Sequence, residues 1–175
     1  MSRISLAAMA TAMHSAQALD MRGKEQLADE LFHAQPNLLA SVLVLPRLGV
    51  APSKVEFALD MLFVCFLAMK ASKMSWPLIT EADQDRQLQR FVAIAGFTDD
   101  LGASLQHRSI QQYIADHPEK DLVAYVMAET SKWLCQIAPE NSDKHVMLAI
   151  WNLVNCIGFV SIAGPMGKTP RRQSR

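Results

Sequence analysis

The run VMLAIWNLVNCIGFVSIAG, Val146 to Gly164, carries no Asp, Glu, Lys or Arg across 19 residues. A stretch of that length and character can span a bilayer, for which about 20 apolar residues suffice. Lys168, Arg171, Arg172 and Arg175 would then be the basic flank of a tail anchor. It can also be the central helix of a bundle, apolar all round because it is covered all round. Asn152 and Asn155 lie one helical turn apart within it. Two amides facing lipid are costly, whereas inside a protein they bond to neighbours. The expectation is an enclosed helix, with membrane insertion of 146–164 as the alternative.

A second apolar run, VEFALDMLFVCFLAM, is interrupted only by Glu56 and Asp60. Val55, Ala58, Leu59, Leu62 and Cys65 recur as Val146, Ala149, Ile150, Leu153 and Cys156 at one constant offset, and each run follows an Ala-Pro link. In a chain that is 50% apolar such matches arise easily, so the echo is a hint about packing. The two segments are expected back to back at the centre of the fold.

Prolines 36, 52, 77, 118 and 139 divide the rest into runs of helical length. Proline fits a helix's first turn and is excluded from its interior, so these mark starts and links. Ser53 and Glu56 have the spacing of a capping box. Thr80 caps a run with Glu81, Asp83 and Asp85 at its positive end, and Gly96 is expected to close it. Ser142 caps the charge-free helix. The one β-like run, Ser41 to Leu45, lies in PNLLASVLVLPRLG and reads better as a short buried helix. Alternating patterns and tight hairpin turns are absent. The fold expected is all-α: a single-domain bundle of about seven helices around one or two apolar central helices, over 1–165, with 166–175 as a basic, flexible tail.

The first 18 residues have two readings. Arg3, the mildly apolar Ile4–Met13 and Ala16-Gln17-Ala18 outline a signal peptide. Leu6, Met9, Met13 and Ala16 also form one face of an amphipathic helix, and that reading is preferred because Ser5 and Thr11 break the apolar stretch. Cys65, Cys135 and Cys156 are odd in number, scattered and inside apolar stretches. They read as buried free thiols in a reducing compartment, and the expected location is cytoplasmic.

Seventeen basic residues balance 17 acidic ones, so no strong field draws in nucleic acid or an anionic membrane. With so little net charge to oppose association, a protein partner or a homo-oligomer fits the composition.

Motifs that carry chemistry fail on inspection. Gly167-Lys168-Thr169 ends like a phosphate loop, but that loop needs glycine where Ile162 stands and a helix where Pro170 follows. Glu30 and His33 have di-iron spacing, yet no other histidine has an acidic residue three before it. A helix-turn-helix centred on Gly102 would put Thr98 and Arg108 at packing positions. No serine sits in a nucleophile elbow. Tyr113, Asp116 and His117 can cluster at a helix end, a histidine beside the helix dipole being the simpler account.

No catalytic residue, metal ligand or cofactor is therefore assigned. The expected function is that of a non-enzymatic interaction protein: an adaptor, an inhibitor or an immunity-type binder. The alternatives are a membrane-anchored protein and a small-molecule-binding bundle, the latter built on Asn152, Asn155 and His33. The partner-binding candidates are Met74, Trp76 and Leu78, apolar where a link should be polar, together with Leu48 in the apolar link PRLGVAP, expected at the same end of the bundle. The competing reading of Trp76 is a lid folded back on the bundle.

Overall fold

The computed structural model describes residues 2–99 and 111–161, of 95–99 the backbone only. Every element among the described residues is helical. In chain order they are α1 (Leu6–Gln17), α2 (Met21–Ala34), α3 (Pro36–Leu43), a 3-10 turn (Leu45–Leu48), α4 (Pro52–Ala71), α5 (Glu81–Asp99), a helical stretch over 111–116, α6 (Lys120–Leu134) and α7 (Asp143–Phe159). The phosphate-loop triplet, the 166–175 tail and most of the helix-turn-helix stretch lie outside the described residues.

Local chemistry sets the helix ends. Ser5 accepts from the Ala8 amide at the start of α1, and Asp20 from the Gly23 amide at the start of α2. Thr80 and Asp83 cap each other: the Asp83 amide donates to Thr80 Oγ1 at 3.1 Å and the Thr80 amide to Asp83 Oδ2 at 3.0 Å. Gly49 takes φ 80° at the end of the 3-10 turn, a conformation that favours glycine.

Several expected boundaries move. Ser53 and Glu56 form no capping box, because α4 begins at Pro52 with Ala51 as its cap and Ser53 is already inside. Proline suits the first helical position, having a helical φ and no N–H to satisfy. Gly96 does not close α5, which runs on to Asp99. Ser142 makes no side-chain cap; Asp143 instead reaches back to the Glu140 amide at 2.8 Å. The charge-free helix ends at Phe159, short of Gly164.

Helices α4 and α7 occupy the centre. They buried Leu62, Cys65, Ala68, Val146, Val154 and Ile157 almost completely, each large aliphatic side chain contributing roughly 1.5–3 kcal/mol. The two helices touch and run parallel. At their starts Lys54 Nζ meets Asp143 Oδ1 at 2.5 Å. At their far ends Arg3 bonds the Ile157 carbonyl and lies over Trp76, which donates to Met69. The expected central pair is thus present, side by side.

The charge-free part of α7, from Val146 on, is covered by α4, α5 and α6. Asn155 is 2% exposed and accepts from the Tyr113 hydroxyl; Asn152 accepts from Cys156 Sγ at 3.9 Å. No helix among the described residues is long and apolar enough to cross a membrane.

Helix α1 packs on α4 through the expected Met9, Met13 and Ala16, with Leu6 the one member of that face left out. Ala8, Met9 and Ala12 are buried, with Met13 and Ala16 partly covered, while Leu6 is 71% exposed. The small alanines lie against α4 because they let the two backbones approach.

Candidate functional site

Helices α1 and α6 both lie antiparallel to α4 and are tied together at one end. The Glu119 carboxylate, just before α6, accepts from Ser2 Oγ at 2.6 Å, from Arg3 Nε at 2.6 Å and from the Ile4 amide at 2.9 Å. Toward the other end a cleft of about 440 Å³ separates them. Met13 and Ala16 of α1 form one wall, Tyr125 and Glu129 of α6 the other, and Phe57, Met61 and Val64 of α4 the floor. Phe57 is fixed by Trp133, their rings stacked 4.5 Å apart and 3° from parallel.

The rim carries both signs of charge. Lys24 Nζ and Asp60 Oδ1 pair at 2.8 Å, and that hydrogen bond holds the Lys24 ammonium above its ordinary pKa, against its partial burial. Both partners are well exposed, so the pair is worth about 0.2–1 kcal/mol. Glu129 and Lys132 line the cleft and make no hydrogen bond or ion pair among the described residues. Burial, and then the nearby Glu129 charge, pushes the Tyr125 hydroxyl above its ordinary range. Tyr125 therefore stands in the cleft as a neutral donor.

Behind the tied end lies a buried polar cluster. His117 is 1% exposed; its Nδ1 accepts from the Glu119 amide at 3.1 Å, so the ring proton sits on Nε2. Nε2 makes no hydrogen bond of normal geometry, and the Asn155 side chain is a polar group acting on the ring. Burial lowers the His117 pKa below its ordinary value, Arg90 adding to the effect, while the Glu119 backbone and carboxylate and the Asn155 side chain oppose it. Phe159 meets the ring edge-on at 5.2 Å, and Arg90 lies 4.0 Å over Phe159. Arg3 fans across the end of α7, donating to the carbonyls of Ile157 at 2.7 Å and Val160 at 2.8 Å. A cation is favoured there because those carbonyls are unsatisfied and form the negative end of the helix.

The residues singled out in the sequence are scattered. Trp76 donates through Nε1 to the Met69 carbonyl and Ser72 Oγ, both at 3.0 Å, with the Arg3 guanidinium 5.0 Å over its ring. That is the geometry of a lid on the end of α4. Met74 and Leu78 stay exposed beside it. Leu48 is also exposed, but it precedes α4 whereas the other three follow it. A 20-residue helix separates them, about 30 Å at 1.5 Å per residue, so the expected common end does not exist. Glu30 pairs with Lys70 at 2.6 Å, and His33 Nδ1 bonds the Asp29 carbonyl within its own helix. No group of three or more potential metal ligands occurs among the described residues. Tyr113 and His117 do come together, but Asp116 turns away to Gln112.

Neither a protein-family model, nor a curated protein, nor a solved structure matches this chain.

Proposed function

We infer that this protein works by binding another protein, without chemistry of its own, and that the cleft between α1 and α6 takes an apolar side chain or short apolar segment of that partner. The observation that carries the reading is the composition of the cleft: an apolar floor of Phe57, Met61 and Val64 under a rim where Glu129 and Lys132 have no partner among the described residues. An apolar anchor ringed by charges of both signs is how protein interfaces combine affinity with register. An adaptor, an inhibitor or an immunity-type binder would use such a surface. The free cysteines Cys65, Cys135 and Cys156 fit a reducing compartment and hence a cytoplasmic location.

Ala16→Trp fills the cleft from the α1 wall, while Leu48→Ser and Leu78→Ser alter apolar surface elsewhere. Native pull-down and light scattering on the folded variants test the reading. A protein, or a second copy of this chain, that binds the wild type should be lost with Ala16→Trp and kept with the other two. Binding undiminished by Ala16→Trp would remove the cleft from the account.

A second reading, a small-molecule site, is favoured by volume alone, since ligand pockets run from about 300 to 1,000 Å³. Native mass spectrometry would show it as a low-mass adduct that Ala16→Trp displaces.

A further inference from the structure

The tie between α1 and the bundle hangs on one carboxylate. Glu119 is fully buried and receives the Ser2 hydroxyl, the Arg3 guanidinium and the Ile4 amide. Its own backbone N–H donates to His117 Nδ1. The loop that presents Glu119 is thus held by a bond that requires a bare Nδ1. On the other side of the ring Nε2 makes no hydrogen bond of normal geometry, and the slot is so tight that a Cβ on Gly158 would lie 2.8 Å from it.

We propose that His117 is an acid-operated latch: a proton on Nδ1 displaces the Glu119 amide, drives the ring out of its slot against Gly158, and frees Ser2–Ile4 and α1 while α4 and α7 stay packed. The chemistry is one proton taken from solvent. A proton on Nδ1 puts a second donor where the Glu119 N–H already donates, so two donors face each other across 3.1 Å. It cannot stay.

The groups facing the ring come from each neighbouring element. Glu119 stands beside it in its own segment and favours the charge. Arg90 on α5 opposes it, and Arg3 from the N-terminal segment is neutralised by Glu119. On α7 the Asn155 side chain, which receives the Tyr113 hydroxyl, also favours the charged ring, and Asp116 in the ring's own segment is engaged with Gln112. Burial holds the neutral form at pH 7, in agreement with the lowered pKa. Since α1 forms one wall of the cleft, release would also open it; that consequence rests on the binding reading, whereas the latch does not.

Hydrogen exchange of the full chain, corrected for intrinsic rates, tests the latch between about pH 7.5 and about pH 5.5. Protection across α1 should fall by about tenfold or more in acid, with α4 and α7 unchanged. His117→Gln, which cannot titrate, should abolish the difference, and His14→Gln, on the exposed side of α1, should keep it. Should His117→Gln fail to fold, NMR titration of the wild type decides: the His117 ring signal and the α1 amides should move with one midpoint. Separate midpoints, α1 protection that ignores pH, or loss of α4 and α7 protection together with α1 would each overturn the latch.

Discussion

His117 sits against Gly158 so closely that a Cβ built on the glycine would lie 2.5 Å from the ring's Cε1 and 2.8 Å from Nε2. Those are not the flexible ends of a side chain. The ring is packed against Phe159, Tyr113 and the backbone of 119, so it cannot give way by a few tenths of an ångström without disturbing them. Gly158 lies within a regular helix, so its role is space rather than conformation.

Gly158→Ala is accordingly expected to destabilise the fold by about 1–3 kcal/mol, as overpacking does, although alanine is the better helix former. Denaturant unfolding measures the loss. In a His117→Ala background the same substitution should cost much less, a non-additivity that a double-mutant cycle isolates.

Stability should depend on pH in separate windows. The folded His117 pKa lies below its ordinary 6.5. The unfolded chain then binds the proton first, and stability is complete above about 6.5 and declines as pH falls below it. Asp143 is held down by its bond to Lys54, with burial opposing, so its contribution is lost only as pH falls below its ordinary 3.8. Lys54 is raised: burial pulls it down, but its bonds to Asp143 and Glu140 prevail, and its contribution disappears as pH climbs past 10.5. Urea midpoints across pH should show all three, with His117→Gln flattening the first alone.

The Lys54–Asp143 pair joins the starts of the two central helices with side chains largely removed from solvent. Lys54→Ala should destabilise more than the double change Lys54→Met, Asp143→Leu, because the single variant strands a carboxylate while the double one replaces the pair with apolar packing. Thermal melts of the two variants rank them directly.

The buried face of α1 separates two variants on one helix. Met9→Ala should cost about 2–5 kcal/mol, as core truncations do. Leu6→Ser, at a position 71% exposed, should stay within about 0.5 kcal/mol of wild type.

Thiol labelling should find one reactive cysteine in the native protein and all three in denaturant. Burial pushes Cys65 and Cys156 each up to about 12 and hides them from reagent. Cys135 is exposed just past the end of α6, contrary to the sequence expectation of three buried thiols.

Much of the fold was legible. The all-α class, the short helix over Pro36–Leu43, the Thr80 cap and the central pairing of two apolar runs all follow from proline placement and apolar periodicity. What was hidden has a common cause. Leu6 continues the stripe of Met9, Met13 and Ala16 on paper, but α4 covers that stripe only from Ala8 onward, and where cover begins depends on the partner's surface. The cleft is lined from four helices, α1, α2, α4 and α6, and no spacing along one helix announces which of the others it faces. Tyr113 and His117 were visible as a pair, yet nothing near Arg3 or Glu119 in the chain signals that residues over a hundred positions apart meet. Trp76 looked like an anchor because its link is apolar; only the carbonyl of Met69 shows that its indole nitrogen turns inward.

Because α4 and α7 run parallel, no tight turn can connect them, and the chain passes through α5 and α6 before the second central helix is made. During synthesis, then, the greasy flank of α4 must wait uncovered at the ribosome until residues beyond 143 emerge. An apolar face left open in this way is a place where a growing chain can associate wrongly.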